Sequence, residues 1–298
     1  MNLQIRAVIT AILLVAHSQP ASAQTAAEHS VFWEVSGHGL AQPSYLFGTF
    51  HLIGKSHIDT LTNVLDKFNQ STALTGEVIL DSTAFKKVMT ASMLRGTTLE
   101  QVLGEDLFRR TSAWLQEIAG YDLHRLNGVN PITVQVYLMM LLQQKYSPAS
   151  NPAAETAMDQ YFQQMARERG MTLAGLETIE EQIHVVYDQL SYARQAELLA
   201  AYVTERDKAY DRLSAMNRAY ATGDLPALER MIHDENYSPA ELDVMLYNRN
   251  QNWMRQLPTL FQQHRAFVAV GAMHLTGSQG LIALLRQQGY QLRPLPLR

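Results

Sequence analysis

The sequence predicts an α/β fold of α+β organisation: a small mixed central sheet built from both chain ends, with a large helical insertion forming a cap. Three observations predict it. Short apolar runs of strand character lie near the start (31–35, 44–48) and at the end (267–270, 291–295). Between them, from about residue 82 to 265, apolar residues recur mostly at helical spacing. One seven-residue pattern, Gly-x-x-His-Leu-x-Gly, follows an apolar run near each end. Its copies are Gly48-Thr49-Phe50-His51-Leu52-Ile53-Gly54 and Gly271-Ala272-Met273-His274-Leu275-Thr276-Gly277.

Taken in order, residues 31–35 and 44–48 read as strands around the Gly37-His38-Gly39 turn, a hairpin that opens the sheet. Residues 57–69 carry Ile58, Leu61, Val64, Leu65 and Phe68 at helical spacing. Residues 71–80 then read as a strand carrying Glu77, interrupted by Thr75-Gly76 because glycine weakens strands. Amphipathic helices follow at 107–118, 133–144 and 154–169, with a long, charged, Ala-rich one at 192–220. Pro148, Pro152, Gly170, Gly223 and Pro239 punctuate them. Inside this block, 171–176 reads as a further strand followed by Glu177. Thr178 with Glu181 makes a capping box that starts the next helix. Residues 267–270, 278–288 and 291–295 close the chain as strand, helix and strand. The sheet needs segments from both ends, so 24–298 is expected to be a single domain.

Composition narrows the setting. Residues 1–23 have the form of a secretory signal peptide: Arg6 supplies a thin positive region, 7–16 are apolar, and Ala21-Ser22-Ala23 precedes Gln24 as a cleavage site. The apolar run is too short to span a bilayer, which takes about 20 residues. No later segment is comparable, so the mature chain is expected to be exported, periplasmic or secreted, with no membrane span. There is no cysteine, which excludes disulfides, a thiolate nucleophile and thiolate metal ligands. A net charge of −4 without a basic cluster argues against a nucleic-acid partner. Oligomeric state is left open.

Random composition gives about 0.03 occurrences of Gly-x-x-His-x-x-Gly, where two are found. Each copy places its imidazole at the end of a strand, and open α/β sheets bind ligands at the carboxyl ends of strands. The structural alternative is two similar corners, with glycine for backbone freedom and histidine incidental. Gly54-Lys55-Ser56-His57 is a third, partial instance, read as a helix start. Glu77 and Glu177 also fall just after predicted strands.

Two neutral imidazoles and a carboxylate can hold a divalent ion, manganese, cobalt or zinc, with positions open to water and substrate. His51, Glu77 and His274 are the expected ligands, Glu77 being alternatively a general base, and the chemistry is metal-assisted hydrolysis. A metal-free version uses one imidazole as base towards water and the other to stabilise developing charge. Glu177 either takes part in catalysis or only favours the N-terminus of the following helix. Arg249 either binds a substrate carboxylate bidentately or, like Asp159 and Asn250, is a solvated or paired group on a helix surface.

These residues resemble the TraB/PrgY/GumN family, which is related to the Tiki metalloproteases. The resemblance is carried by Tyr45-Leu46-Phe47-Gly48-Thr49-Phe50-His51-Leu52 and by Gly175-Leu176-Glu177-Thr178 with Glu181-Gln182. It continues through Arg249-Asn250-x-x-Trp253-Met254 and Val270-Gly271-Ala272-Met273-His274-Leu275, then Gly280-Leu281, Leu284-Leu285 and Gly289-Tyr290. In that family the two Gly-x-x-His motifs and a glutamate after the next strand are regarded as the active-site core. By position these are His51, His274 and Glu77. The resemblance implies a divalent-metal-dependent, peptidase-like hydrolase, with manganese or cobalt supporting activity in the Tiki branch. It also implies kinship with erythromycin esterases and haem-binding ChaN proteins, so the fold does not settle the reaction. Two features depart from the pattern: Gly76 precedes Glu77 where an apolar residue is usual, and no membrane anchor is expected after the domain. The expected function is therefore an exported metal-dependent hydrolase acting on a peptide or small-molecule substrate. The alternatives are a metal-free esterase-like hydrolase and a non-catalytic protein that sequesters a peptide signal or haem.

Overall fold

A computed structural model describes residues 29–146, 155–234 and 236–298. The signal peptide read at 1–23 and the breaks at Pro148 and Pro152 lie outside these residues. The sheet contains β1 (Phe32–Gly37), β2 (Ser44–Thr49), β3 (Ala73–Gly76), β4 (Thr172–Gly175), β5 (Ala266–Gly271) and β6 (Tyr290–Pro294). Their order is β4-β3-β5-β2-β1-β6. The first four in that order are mutually parallel, and β1 runs antiparallel between β2 and β6. The sheet is thus mixed and assembled from both chain ends, with helices from the middle of the chain packed around it, as the sequence predicts.

The central strands explain their own sequences. β2 and β5 are flanked on both sides and buried almost throughout, so they read as continuous apolar runs rather than alternating ones. Phe267 of β5 packs with its ring centroid 5.2 Å from Phe162 and 5.4 Å from Phe68, and Phe47 of β2 lies against the same group. Gly48, near the end of β2, is required by close approach. A Cβ there would lie 2.9 Å from Leu275 Cδ1 and 3.0 Å from Ala272 Cα, so the turn that carries His274 rests directly on the glycine backbone.

The helical block has its own apolar core, built around Leu99, Leu115, Leu123, Leu138 and Leu199. Phe50, inside the first Gly-x-x-His motif, packs against this core and against that of the sheet. Among the described residues no helix is long and apolar enough to cross a membrane.

Some boundaries differ from expectation. The strand read at 71–80 ends at Gly76, because Gln163 takes over the backbone beyond it. Its Nε2 donates to Val78 O at 2.8 Å and its Oε1 accepts from Leu80 N at 2.8 Å. The helix read at 57–69 is two, Lys55–Ile58 and Thr62–Gln70. The one read at 192–220 is also two, Tyr192–Thr204 and Arg206–Thr222, separated where Glu205 leaves helical dihedrals and pairs with Arg212. The capping box at Thr178 and Glu181 forms as expected.

Candidate functional site

The carboxyl ends of β2, β3, β4 and β5 present His51, Glu77, Glu177 and His274 respectively. Because β5 lies between β3 and β2, residues from distant parts of the chain become neighbours. Glu77 is the hub. Its Oε1 accepts the Gly271 N–H at 2.8 Å, and its Oε2 accepts from Arg249 Nη2 at 2.6 Å and Gln182 Nε2 at 3.1 Å. Burial alone would raise the Glu77 pKa, but the surrounding positive groups and the Gly271 N–H bring it down to about 2. His274 contributes attraction only when protonated, so at neutral pH Arg249, His51 and Gly271 hold the charge.

His274 is 3% exposed and sits on the 3₁₀ turn Ala272–Leu275. Its tautomer is assigned by Asn250, whose Nδ2 donates to the carbonyls of Gln279 (2.9 Å) and His274 (3.3 Å). Asn250 Oδ1 must then accept from His274 Nδ1 at 2.7 Å, which leaves the Nε2 lone pair facing the site. Burial, helped by Arg249 and His51 and opposed by Glu77, lowers the His274 pKa to about 3, so the ring is neutral. Trp253 packs on it with centroids 4.3 Å apart.

His51 has the opposite environment. Its ring is 68% exposed, and Nδ1 lies 2.7 Å from Asp159 Oδ2. The other Asp159 oxygen accepts from Thr49 Oγ1 at 2.6 Å. The Asp159 carboxylate raises the His51 pKa to about 9, a pull that solvent screens at so open a ring. His57, the third Gly-x-x-His histidine, turns towards Tyr220 at 6.4 Å between ring centroids.

The three expected ligands meet around one point. A Cβ built on Gly271 would lie 3.2 Å from Glu77 Oε1, 3.7 Å from His274 Cδ2 and 3.8 Å from His51 Nε2. Glycine leaves that cradle open. A cavity of about 320 Å³ opens beside it, with His51, Glu77, Asp159, Gln160 and Gln182 in its wall.

Arg249 is not free to bind a substrate carboxylate through its fork. Its Nε and Nη2 donate to Glu177 at 2.9 and 2.7 Å, Nη2 also reaches Glu77, and Nη1 bonds Met245 O at 3.0 Å and lies 3.1 Å from His274 Nε2. Desolvation would lower the Arg249 pKa, but the two carboxylates outweigh it and raise it. Glu177 therefore meets the cluster through Arg249, and also accepts from Trp253 Nε1 at 3.3 Å. Burial raises its own pKa against the pull of Arg249. A π-helical turn, Asp243–Tyr247, leads into the helix Asn248–Trp253 that carries Arg249, Asn250 and Trp253, and such turns recur at functional sites. Asp159 and Asn250, read from the sequence as surface groups, are instead the partners of the two imidazoles.

The donor set suits a divalent ion in kind. Each histidine has its Nδ1 tied to a side-chain oxygen and its Nε2 directed inward, the arrangement that orients metal-binding imidazoles, and Glu77 stands between them beside the Gly271 cradle. As the side chains stand, no group of three or more His, Asp or Glu among the described residues is arranged to hold a metal ion.

A mixed α/β sheet with two Gly-x-x-His turns and a glutamate at adjacent strand ends defines the class. The TraB/PrgY/gumN family model matches residues 31–294, and the chain belongs to that family. The metalloprotease TIKI2 of Xenopus tropicalis is 24% identical over 317 residues, covering 90% of this chain and 60% of that protein. TIKI2 of Danio rerio is 23% identical over 317 residues, covering 90% and 61%. The metalloprotease TIKI1 of Homo sapiens is 22% identical over 303 residues, covering 85% and 60%. The chain thus spans about 60% of the length of the curated relatives it matches. No solved structure matches it significantly.

Proposed function

We propose that this chain is an exported hydrolase of peptide bonds, a single domain over 24–298, that uses a divalent ion (manganese, cobalt or zinc) held by His51, Glu77 and His274. The observation that carries the reading is the convergence of these side chains on the open face of Gly271. The names of the relatives support the reaction class. Bound there, a divalent ion supplies water of lowered pKa and polarisation of a carbonyl.

The chain's own groups do the rest. Asn250 and Asp159 orient the two imidazoles so that Nε2 of each faces the cleft. Glu77, whose pKa Arg249 and the Gly271 N–H hold below the ordinary carboxylate range, is a better ligand than base, since an efficient general base has a pKa near the working pH. Arg249 is fixed by Glu177 and keeps a positive charge beside the place where a tetrahedral oxyanion would develop.

Metal analysis of purified protein, together with peptide-library cleavage, tests this. About one ion per chain is expected, with both occupancy and cleavage lost in His51→Ala and His274→Ala. Full occupancy in both variants overturns the metal assignment. One observation favours a second reading: Asp159 Oδ2 holds His51 Nδ1 at 2.7 Å, the arrangement of an imidazole base oriented by a carboxylate. In a metal-free hydrolase His51 Nε2 would act as the base towards water, and cleavage would survive exhaustive chelation. The leader read at 1–23 supports export, and N-terminal sequencing of the mature protein should begin at Gln24.

A further inference from the structure

A second cavity, of about 240 Å³, takes in the open face of Gly271, with His51, Glu77 and His274 in its wall, and extends from there to the helical cap. Met273 lines it on the side of the sheet. The cap supplies Met216 from the helix Arg206–Thr222, Leu228 and Ile232 from the helix Leu225–Asp234, and Leu246 from the π turn. Two hydroxyls border it and both are committed elsewhere. Tyr220 donates to Gly48 O at 2.8 Å, and Thr49 donates to Asp159 at 2.6 Å. Beyond the reacting groups, the side chains of this chamber present hydrocarbon and thioether. It shares His51 and Glu77 with the more polar 320 Å³ cavity, so the cluster stands where the two chambers meet.

We propose that this apolar chamber is the specificity pocket of the hydrolase, and that it takes the Leu, Met or Phe side chain of the substrate residue next to the scissile bond. The inference rests on the hydrolase reading above. The size is sufficient, since an apolar cavity of about 150 Å³ accommodates a benzene ring. Met216 and Met273 are unbranched and polarizable and can repack around side chains of different outline. A charged side chain would lose its hydration without gaining a partner, and glycine would leave the chamber unfilled. Burying one such side chain favours the apolar substrate by about 10- to 100-fold in kcat/KM over glycine at the same position.

Two measurements test the pocket. In a series of fluorogenic peptides varied at one residue flanking the bond, Leu, Met and Phe should exceed Gly and Asp by that factor. Ile232→Trp, or Met216→Trp from the facing helix, fills the chamber and should collapse the Leu-to-Gly ratio towards one. Independently of turnover, N-acetyl-leucine amide should shift the methyl resonances of Met216 and Met273 in methyl-labelled protein. N-acetyl-glycine amide should not, and Ile232→Trp should abolish the response. A flat peptide series, or methyl resonances indifferent to the leucine amide, overturns the assignment. Shifted methyls in a protein that cleaves no peptide uphold the apolar pocket and overturn the peptidase reading instead.

Discussion

Replacing Gly271 with alanine separates function from folding at a single methyl group. Gly271 has φ −52° and ψ 135°, a conformation open to any residue, so the substitution strains no backbone. The loss of freedom in the unfolded chain favours the folded state by about 0.4–1 kcal/mol. Against this, the new Cβ meets Glu77 Oε1 at 3.2 Å, and the carboxylate must retreat by a few tenths of an ångström. The approaches to His274 and His51, 3.7 and 3.8 Å, are ordinary contacts. The two effects nearly cancel, so stability should change by less than about 1 kcal/mol, or roughly 2–4 °C in Tm. The methyl nevertheless occupies the point on which the three side chains converge. Since a misplacement of about 1 Å near a reacting centre can cost about 100-fold and the carboxylate moves less than that, peptide cleavage should fall by about 10- to 100-fold, with weaker metal binding in titration calorimetry. A variant with unchanged Tm, wild-type metal affinity and wild-type turnover would refute the convergence argument. A Tm lowered far beyond the stated range would refute the packing argument.

Two further outcomes follow from the ion pairs. Arg249→Met leaves Glu77 and Glu177, only 9% and 7% exposed, without their shared counter-charge. It should cost about 3–5 kcal/mol in denaturant unfolding, part of which Glu177→Gln in the same chain restores; a loss below about 1 kcal/mol would show that water reaches the carboxylates. In the cap, Glu241 is 16% exposed and accepts from Arg194 Nε at 2.8 Å and Nη2 at 3.1 Å. Arg194 thereby lowers the Glu241 pKa to about 2. The folded value lies below the ordinary 4.5, so this pair's stabilisation is complete above about pH 4.5 and lost as pH falls through 2. Melting curves of wild type and Glu241→Gln should differ at pH 7 and converge near pH 2, and a gap constant with pH would exclude the linkage.

The sheet was legible in the sequence because its central strands are buried on both faces and so appear as uninterrupted apolar runs. The residues at strand ends were legible for a related reason: His51, Glu77, Glu177 and His274 are placed by local chain geometry a step or three beyond a strand. Their partners were not, because they sit on helices whose facing is decided by tertiary packing. Asp159 is 108 positions from His51 and 110 from Thr49. One signal was nevertheless present. Phe162, Gln163 and Ala166 are buried on the helix Met158–Glu168, and with Asp159 they form an i, i+3, i+4, i+7 face, so a carboxylate on the inward stripe needed a partner. Asn250 is completely buried, yet the polar run Asn248-Arg249-Asn250-Gln251-Asn252 disguises it. The breaks at Glu205 and between Ile58 and Thr62 were invisible for lack of proline or glycine there.

The position of β5 carries a consequence for how the molecule comes into being. This strand is wedged between β3 and β2, and its first residue, Ala266, bonds Ser44 across 222 positions of chain. The middle of the sheet therefore leaves the ribosome only after β1, β2, β3 and β4. Until it arrives, β2 and β3 have no shared neighbour, and His51 and Glu77 have no Gly271 between them. Assembly by such remote pairing is slow, since loop closure precedes any reward. Until β5 is made the strand ends that carry His51 and Glu77 stay apart, and the completed sheet and the reactive cluster then form together.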